Sequence, residues 1–150
     1  MEKVKTIEIL NRLIEINNDR IVGYTTASEE IEEQDLKTLF VRFTQTSQKF
    51  NQDLSRKING LGGRPTEGTT IAGKFFRTWM DIKSSIKGAD RFVILDSCEF
   101  IDYHVVDTYE KVLRNELLYL NSELVTIIRA QYALIKIDLI RLKSIRTMAI

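Results

Sequence analysis

Proline, cysteine, histidine and tryptophan each occur once in 150 residues, and each scarcity excludes something. A single cysteine, Cys98, cannot build an intramolecular disulfide framework and fits a reducing cytoplasm. A single proline, Pro65, leaves long stretches in which a helix can run unbroken. Charge of one sign is also lacking. Lys and Arg number 22 against 21 Asp and Glu, so overall charge gives no pull toward nucleic acid or a membrane surface. No apolar stretch reaches about 18 residues without a charge. The opening MEKVKTIEIL has no continuous apolar segment of the signal-peptide kind. The expectation is one soluble, cytoplasmic domain over residues 1–150, with neither nucleic acid nor membrane as a partner.

What is present is helical periodicity. Ile7, Leu10, Ile14, Asn17, Ile21, Tyr24, Ser28 and Ile31 alternate steps of three and four, a seam that needs a partner helix to cover it. A second stripe reads Leu36, Leu39, Phe40, Phe43, Ser47, Phe50, Leu54 and Ile58, with Asp35 a suitable N-cap. Asn59-Gly60-Leu61-Gly62-Gly63-Arg64-Pro65 ends it, with glycine at the left-handed C-cap and proline behind. The short link after the acidic run Glu29, Glu30, Glu32, Glu33 makes these two helices an antiparallel hairpin. A third long helix is predicted from near Asp90 to about Leu118. A fourth, capped by Asn121 or Ser122, carries Leu124, Ile128, Gln131, Ile135, Asp138, Leu142 and Ile145. Between the second and third lies a short amphipathic piece with Ile71, Phe75, Trp79, Ile82 and Ile86 on one face, capped by Thr69 or Thr70 and ended by Gly88. A connector this long permits the up-down-down-up order with one crossover, whereas a short loop would force up-down-up-down.

Polar residues interrupt the stripes at mid-height: Asn17, Thr46 with Ser47, Asp102 and Gln131. In such bundles this is the level of a dinuclear iron or manganese centre, which needs inward Glu residues and a Glu-x-x-His on one helix of each pair. Thr46 and Ser47 stand where that motif is required, and His104 points away from its helix's apolar face. The carboxylates that could serve are Glu99, Asp102 and Asp138. Amides and hydroxyls predominate, so the layer reads as hydrogen-bonded structure with no metal and no cofactor. The alternatives are a degenerate iron or manganese carboxylate protein and a small-ligand carrier. Asp102 with only neutral neighbours would have a raised pKa. Tyr24 and Tyr132 are expected to reach the layer with their hydroxyls, and Cys98 to pack as a small hydrophobe. Outside the core stripe, Leu134, Ile137 and Ile140 suggest a homo-oligomer surface on the fourth helix. The basic cluster Arg129, Lys136, Arg141, Lys143 and Arg146 reads as a solvated face.

The pieces LNRLIEINNDRIVGY (Leu10 to Tyr24), LGGRP (Leu61 to Pro65), TWMDIKSSIKGADR (Thr78 to Arg91) and Cys98-Glu99 carry a resemblance that covers nearly the whole chain. The chain resembles a bacterial domain-of-unknown-function family of ferritin-like four-helix bundles, related in fold to rubrerythrins and bacterioferritins. The resemblance implies an all-α, up-down-down-up bundle with a short extra helix in the crossover, and a stress-related role by analogy. In that family a Glu-x-x-Glu-Asp follows the cysteine, where this chain has Glu99, Asp102 and Tyr103. A His-Asp pair falls where Leu139 and Ile140 stand here. The resemblance therefore implies the architecture together with loss of any chemistry on that pair. The leading expectation is a metal-free, non-catalytic bundle that acts through protein association.

Overall fold

The computed structural model describes residues 2–74 and 91–148. Four long helices make up most of it: α1 (Lys3–Glu30), α2 (Gln34–Gly60), α3 (Arg91–Asn115) and α4 (Ser122–Met148). A one-turn 3-10 helix, Leu117–Tyr119, joins α3 to α4. The third helix thus ends before Leu118, and Asn121 caps α4 by accepting the Leu124 N–H at 2.8 Å. Asp35 does not cap α2. Glu33 holds the N-cap position, while the Asp35 carboxylate reaches across to Arg91 at the start of α3.

Cross-helix contacts fix the topology. Along α1, and along α3 with the 3-10 turn that follows it, Thr6 donates to the Tyr119 carbonyl, Asn17 meets Tyr109, Arg20 meets Asp102, and Tyr24 donates to the Cys98 carbonyl. Rising numbers on one helix meet falling numbers on the other, so α1 and α3 are antiparallel. The same holds for α1 with α2, for α3 with α4, where Tyr109 meets Gln131 and Asp96 and Glu99 meet Arg146, and for α2 with α4, where Lys57 meets Glu123 and Gln131 meets Phe50. Helices α2 and α3 therefore run the same way, which gives up-down-down-up order. Of the neighbouring pairs, α2 and α4 approach each other least.

Why α2 stops is local. Gly62 sits at φ 80°, its N–H reaches the Asn59 carbonyl, and the Gly63 N–H reaches back to Ile58. This is a Schellman ending, which an L side chain at Gly62 would strain. The chain then runs extended along the outside of α1, held by polar α1 residues. Asn11 binds the Arg64 carbonyl and the Thr66 N–H, and Asn18 binds the Gly68 carbonyl. Asp19 takes the N–H groups of Thr70, Ile71 and Ala72 at 2.9–3.1 Å. The crossover is therefore capped from α1 by Asp19, where a local Thr69 or Thr70 cap was expected. Residues 64–72 run in the same sense as α1, toward the end of the bundle at which α3 begins. Phe75, Trp79, Ile82, Ile86 and Gly88 lie outside the described residues.

The core draws on all four helices, including Leu13, Tyr24, Phe40, Phe43, Leu54, Ile101, Val105, Ile128 and Ile135. On α1 its centre line runs Leu10, Leu13, Asn17, Arg20, Tyr24 and Ala27, one residue off the expected seam at Ile14, Ile21 and Ser28. Ile21 is only partly covered, and Arg20 takes its place inside.

Replacing Gly62 by alanine is expected to cost about 1–2 kcal/mol, because the left-handed backbone is retained against a Cβ clash. Gly60, helical and with open space around its Cα, is the control: Gly60→Ala should be neutral or stabilising. Urea unfolding of both variants checks the pair.

Candidate functional site

Arginine is among the residues least often fully buried, yet Arg20 is 0% exposed at the centre of this bundle. It is carried in from α1 and touches the other three long helices. Nε donates to Asp102 Oδ1 at 2.9 Å and Nη2 to Asp102 Oδ2 at 3.4 Å, a two-pronged pairing with α3. Nη2 also donates to Asp138 Oδ2 on α4 at 3.1 Å. Nη1 donates to the Phe43 carbonyl at 3.2 Å and to Ser47 Oγ at 3.3 Å, both on α2. Those contacts use all five N–H groups of a guanidinium. The Phe43 and Tyr24 rings cover its flat surface at 4.7 and 5.5 Å from their centroids, favourable ground for a cation.

From Ser47 a chain of hydrogen bonds crosses the core. Ser47 Oγ donates to Asn17 Oδ1 at 2.9 Å and Asn17 Nδ2 to Tyr109 Oη at 2.8 Å. Tyr109 Oη donates to Gln131 Oε1 at 2.7 Å, and Gln131 Nε2 to the Phe50 carbonyl at 3.4 Å. Every link donates in the same direction, so these dipoles polarise one another. Burial pushes the Tyr109 hydroxyl pKa up and keeps it a neutral donor.

The structure thus brings together Asn17, Ser47, Asp102 and Gln131, and adds Arg20, Tyr109 and Asp138. It does not bring in Thr46. That side chain sits on the outer side of α2 and bonds back to the Arg42 carbonyl, because it lies about 100° round the helix from Ser47. Nor does it bring in Tyr132, whose hydroxyl leaves the core for Glu110. Glu99 is buried but turned to Arg146 at 3.0 Å, near the C-terminal end of α4. His104 lines a surface groove with Arg12, Thr70 and Asp107. Arg20 had a signal in the sequence. It stands three residues after Asn17 and four before Tyr24, on their face of α1.

The electrostatics follow from burial. Burial disfavours the Arg20 charge, but Asp102, helped by Tyr24 and Asp138, more than offsets this and raises its pKa. Burial pushes the Asp102 carboxyl above its ordinary range, opposed chiefly by the Arg20 guanidinium and to a lesser extent by the Tyr24 hydroxyl. Burial, more than the nearby Asp102 charge, takes the Cys98 thiol well up, as expected of a packed, unreactive sulfur.

A dinuclear metal does not fit this donor set. Among the described residues no group of three or more His, Cys, Asp or Glu side chains could hold an ion. Both oxygens of Asp102 face the guanidinium, and the Asp138 oxygen that points inward is taken by the same group. The Arg20 guanidinium itself links these two carboxylates.

Four helices in up-down-down-up order with one crossover make the ferritin-like fold. Residues 5–115 match the domain of unknown function DUF2383, and the chain belongs to that family. The match takes in α1 to α3 and stops short of α4. Among solved structures, the chain is similar to the crystal structure of ferritin like, diiron-carboxylate proteins from Bacillus anthracis str. Ames. That similarity has a TM-score of 0.75 at 22% identity, over 97% of this chain and 99% of that one, and it concerns the fold. No curated protein matches the chain.

Arg20→Met is expected to destabilise the bundle by about 3–5 kcal/mol, the usual cost of leaving a buried charge without its partner. The double variant Arg20→Met with Asp102→Leu should recover most of that loss, which a double-mutant cycle in denaturant reads directly. In the single variant the Asp102 carboxyl has lost the charge that opposes its upward shift. A folded-state pKa above the unfolded one favours the fold in acid, and that stability is lost as pH rises through the folded pKa. Arg20→Met should therefore become more stable as pH falls from about 7 to about 5, and the double variant should not.

Proposed function

We propose that the protein is a metal-free, non-catalytic ferritin-like bundle that works through protein association. The observation that supports this reading is the Arg20 guanidinium, which bridges Asp102 and Asp138 at the level where related folds hold their ions. A cation built into the chain pairs with both carboxylates, and no imidazole accompanies them among the described residues. The remaining polar side chains of the layer are engaged with one another, as structure requires and chemistry on a substrate does not. Association is supported by α4, which leaves Leu134, Ile137 and Ile140 each at least half exposed.

Two measurements test the two halves. Protein incubated anaerobically with excess Fe(II) or Mn(II) and desalted is expected to retain far less than one ion per chain by elemental analysis. Stoichiometric metal that disappears in Asp102→Asn would overturn the metal-free half. Sedimentation velocity over a wide concentration range is expected to show a self-associating species or a stable oligomer. A concentration-independent monomer would end the association half.

A further inference from the structure

The groove between α2 and α4 is about 520 Å³, and Phe50, Ile127, Ala130 and Leu134 form its apolar lining. Its α4 side is one edge of a longer stripe: Glu123, Ile127, Ala130, Leu134, Ile137 and Arg141. The steps between these residues are four, three, four, three and four. At about 100° per residue they fall within about 40° of a common line, roughly a third of a turn from the buried face of α4. Ala130 is exposed, Leu134 is 50% exposed and Ile137 60%. This is a coiled-coil seam with no helix on it among the described residues.

The seam reads as its own complement when reversed. Turned end for end about the level of Tyr132, it sets Ile127 opposite Ile137, Ala130 opposite Leu134 and Glu123 opposite Arg141. Large meets small at the centre, and acid meets base at both ends. The groove has the same polarity, with Asp53 near the Glu123 end and Arg42 near the Arg141 end. A parallel pairing would stack Leu134 on Leu134 and Arg141 on Arg141. Self-complementarity under a half turn is the requirement of a two-fold interface between identical chains.

We infer that the occupant of this face is the α4 helix of a second copy, packed antiparallel about a two-fold axis at the level of Tyr132, with the Leu134 side chain of each copy seated over Ala130 of the other. Glu123, steadied by Lys57 of its own chain, meets Arg141 across the axis. This inference rests on the association reading and specifies its partner and register. Ile140 lies more than a quarter turn from the seam and has no part in the contact.

The test is site-specific cross-linking of the full chain. Protein carrying Ala130→Cys is mixed with protein carrying Leu134→Cys and oxidised gently, the buried Cys98 being left in place. The expected product is the mixed disulfide dimer, with little of either homodimer. Alongside, Leu134→Glu should weaken association at least about tenfold by sedimentation equilibrium, as loss of a central apolar anchor does, whereas Ile140→Glu should leave it unchanged. Disulfide homodimers of either single variant as the main product, or an oligomer insensitive to Leu134→Glu, would overturn the antiparallel α4 interface while leaving association standing. A monomer at all concentrations would end both.

Discussion

The bundle centre is organised by the need to neutralise buried charge. Asp102 is fully buried and Asp138 largely so, and two carboxylates facing one another in a core of low dielectric repel and are poorly solvated. One guanidinium answers both, and in doing so it takes hydrogen-bonding groups from all three other long helices. The crossing of the helices at this height must suit the fixed fork of Arg20. A lysine could supply the charge but not five directed N–H groups.

The rest of the layer follows from that anchor. Ser47 accepts from Arg20 and so has its own proton to give, which sets the direction of the chain through Asn17, Tyr109 and Gln131. The chain ends at the Phe50 carbonyl on α2, close to the groove beside α4. Helix register, the orientation of two amides and the orientation of one tyrosine hydroxyl are thus tied to one cation. Such networks cost stability against an apolar core, and their use lies in selecting one arrangement of helices over its neighbours.

Much of the architecture could be read from the chain alone. Apolar periodicity, the Gly62-Gly63 ending and the length of the connector give four helices in up-down-down-up order. Asn17, Ser47, Asp102 and Gln131 are visible as polar breaks in otherwise apolar stripes. Arg20 lies on the face of Asn17 and Tyr24, yet it is passed over for a physical reason. Hydrophobic pattern reading assigns a charged residue to solvent, and Ile21 beside it offers a more ordinary core position. The role of Asp19 was hidden as well, because its partners lie some fifty residues away on a connector with no periodicity of its own. Thr46 was misplaced because it and Ser47 are adjacent, and adjacent residues on a helix face different ways. Long-range polar contacts leave no periodic trace, and it is these that distinguish this bundle from others of its shape.

Arg20 also differs from a bound ion in a way that concerns the life of the protein more than its shape. A metal held by carboxylates has a dissociation constant, and its occupancy follows supply, competing chelators and oxidation state. A guanidinium joined to the backbone has none of these dependences. The cation at the centre of this bundle is in place when the chain is synthesised.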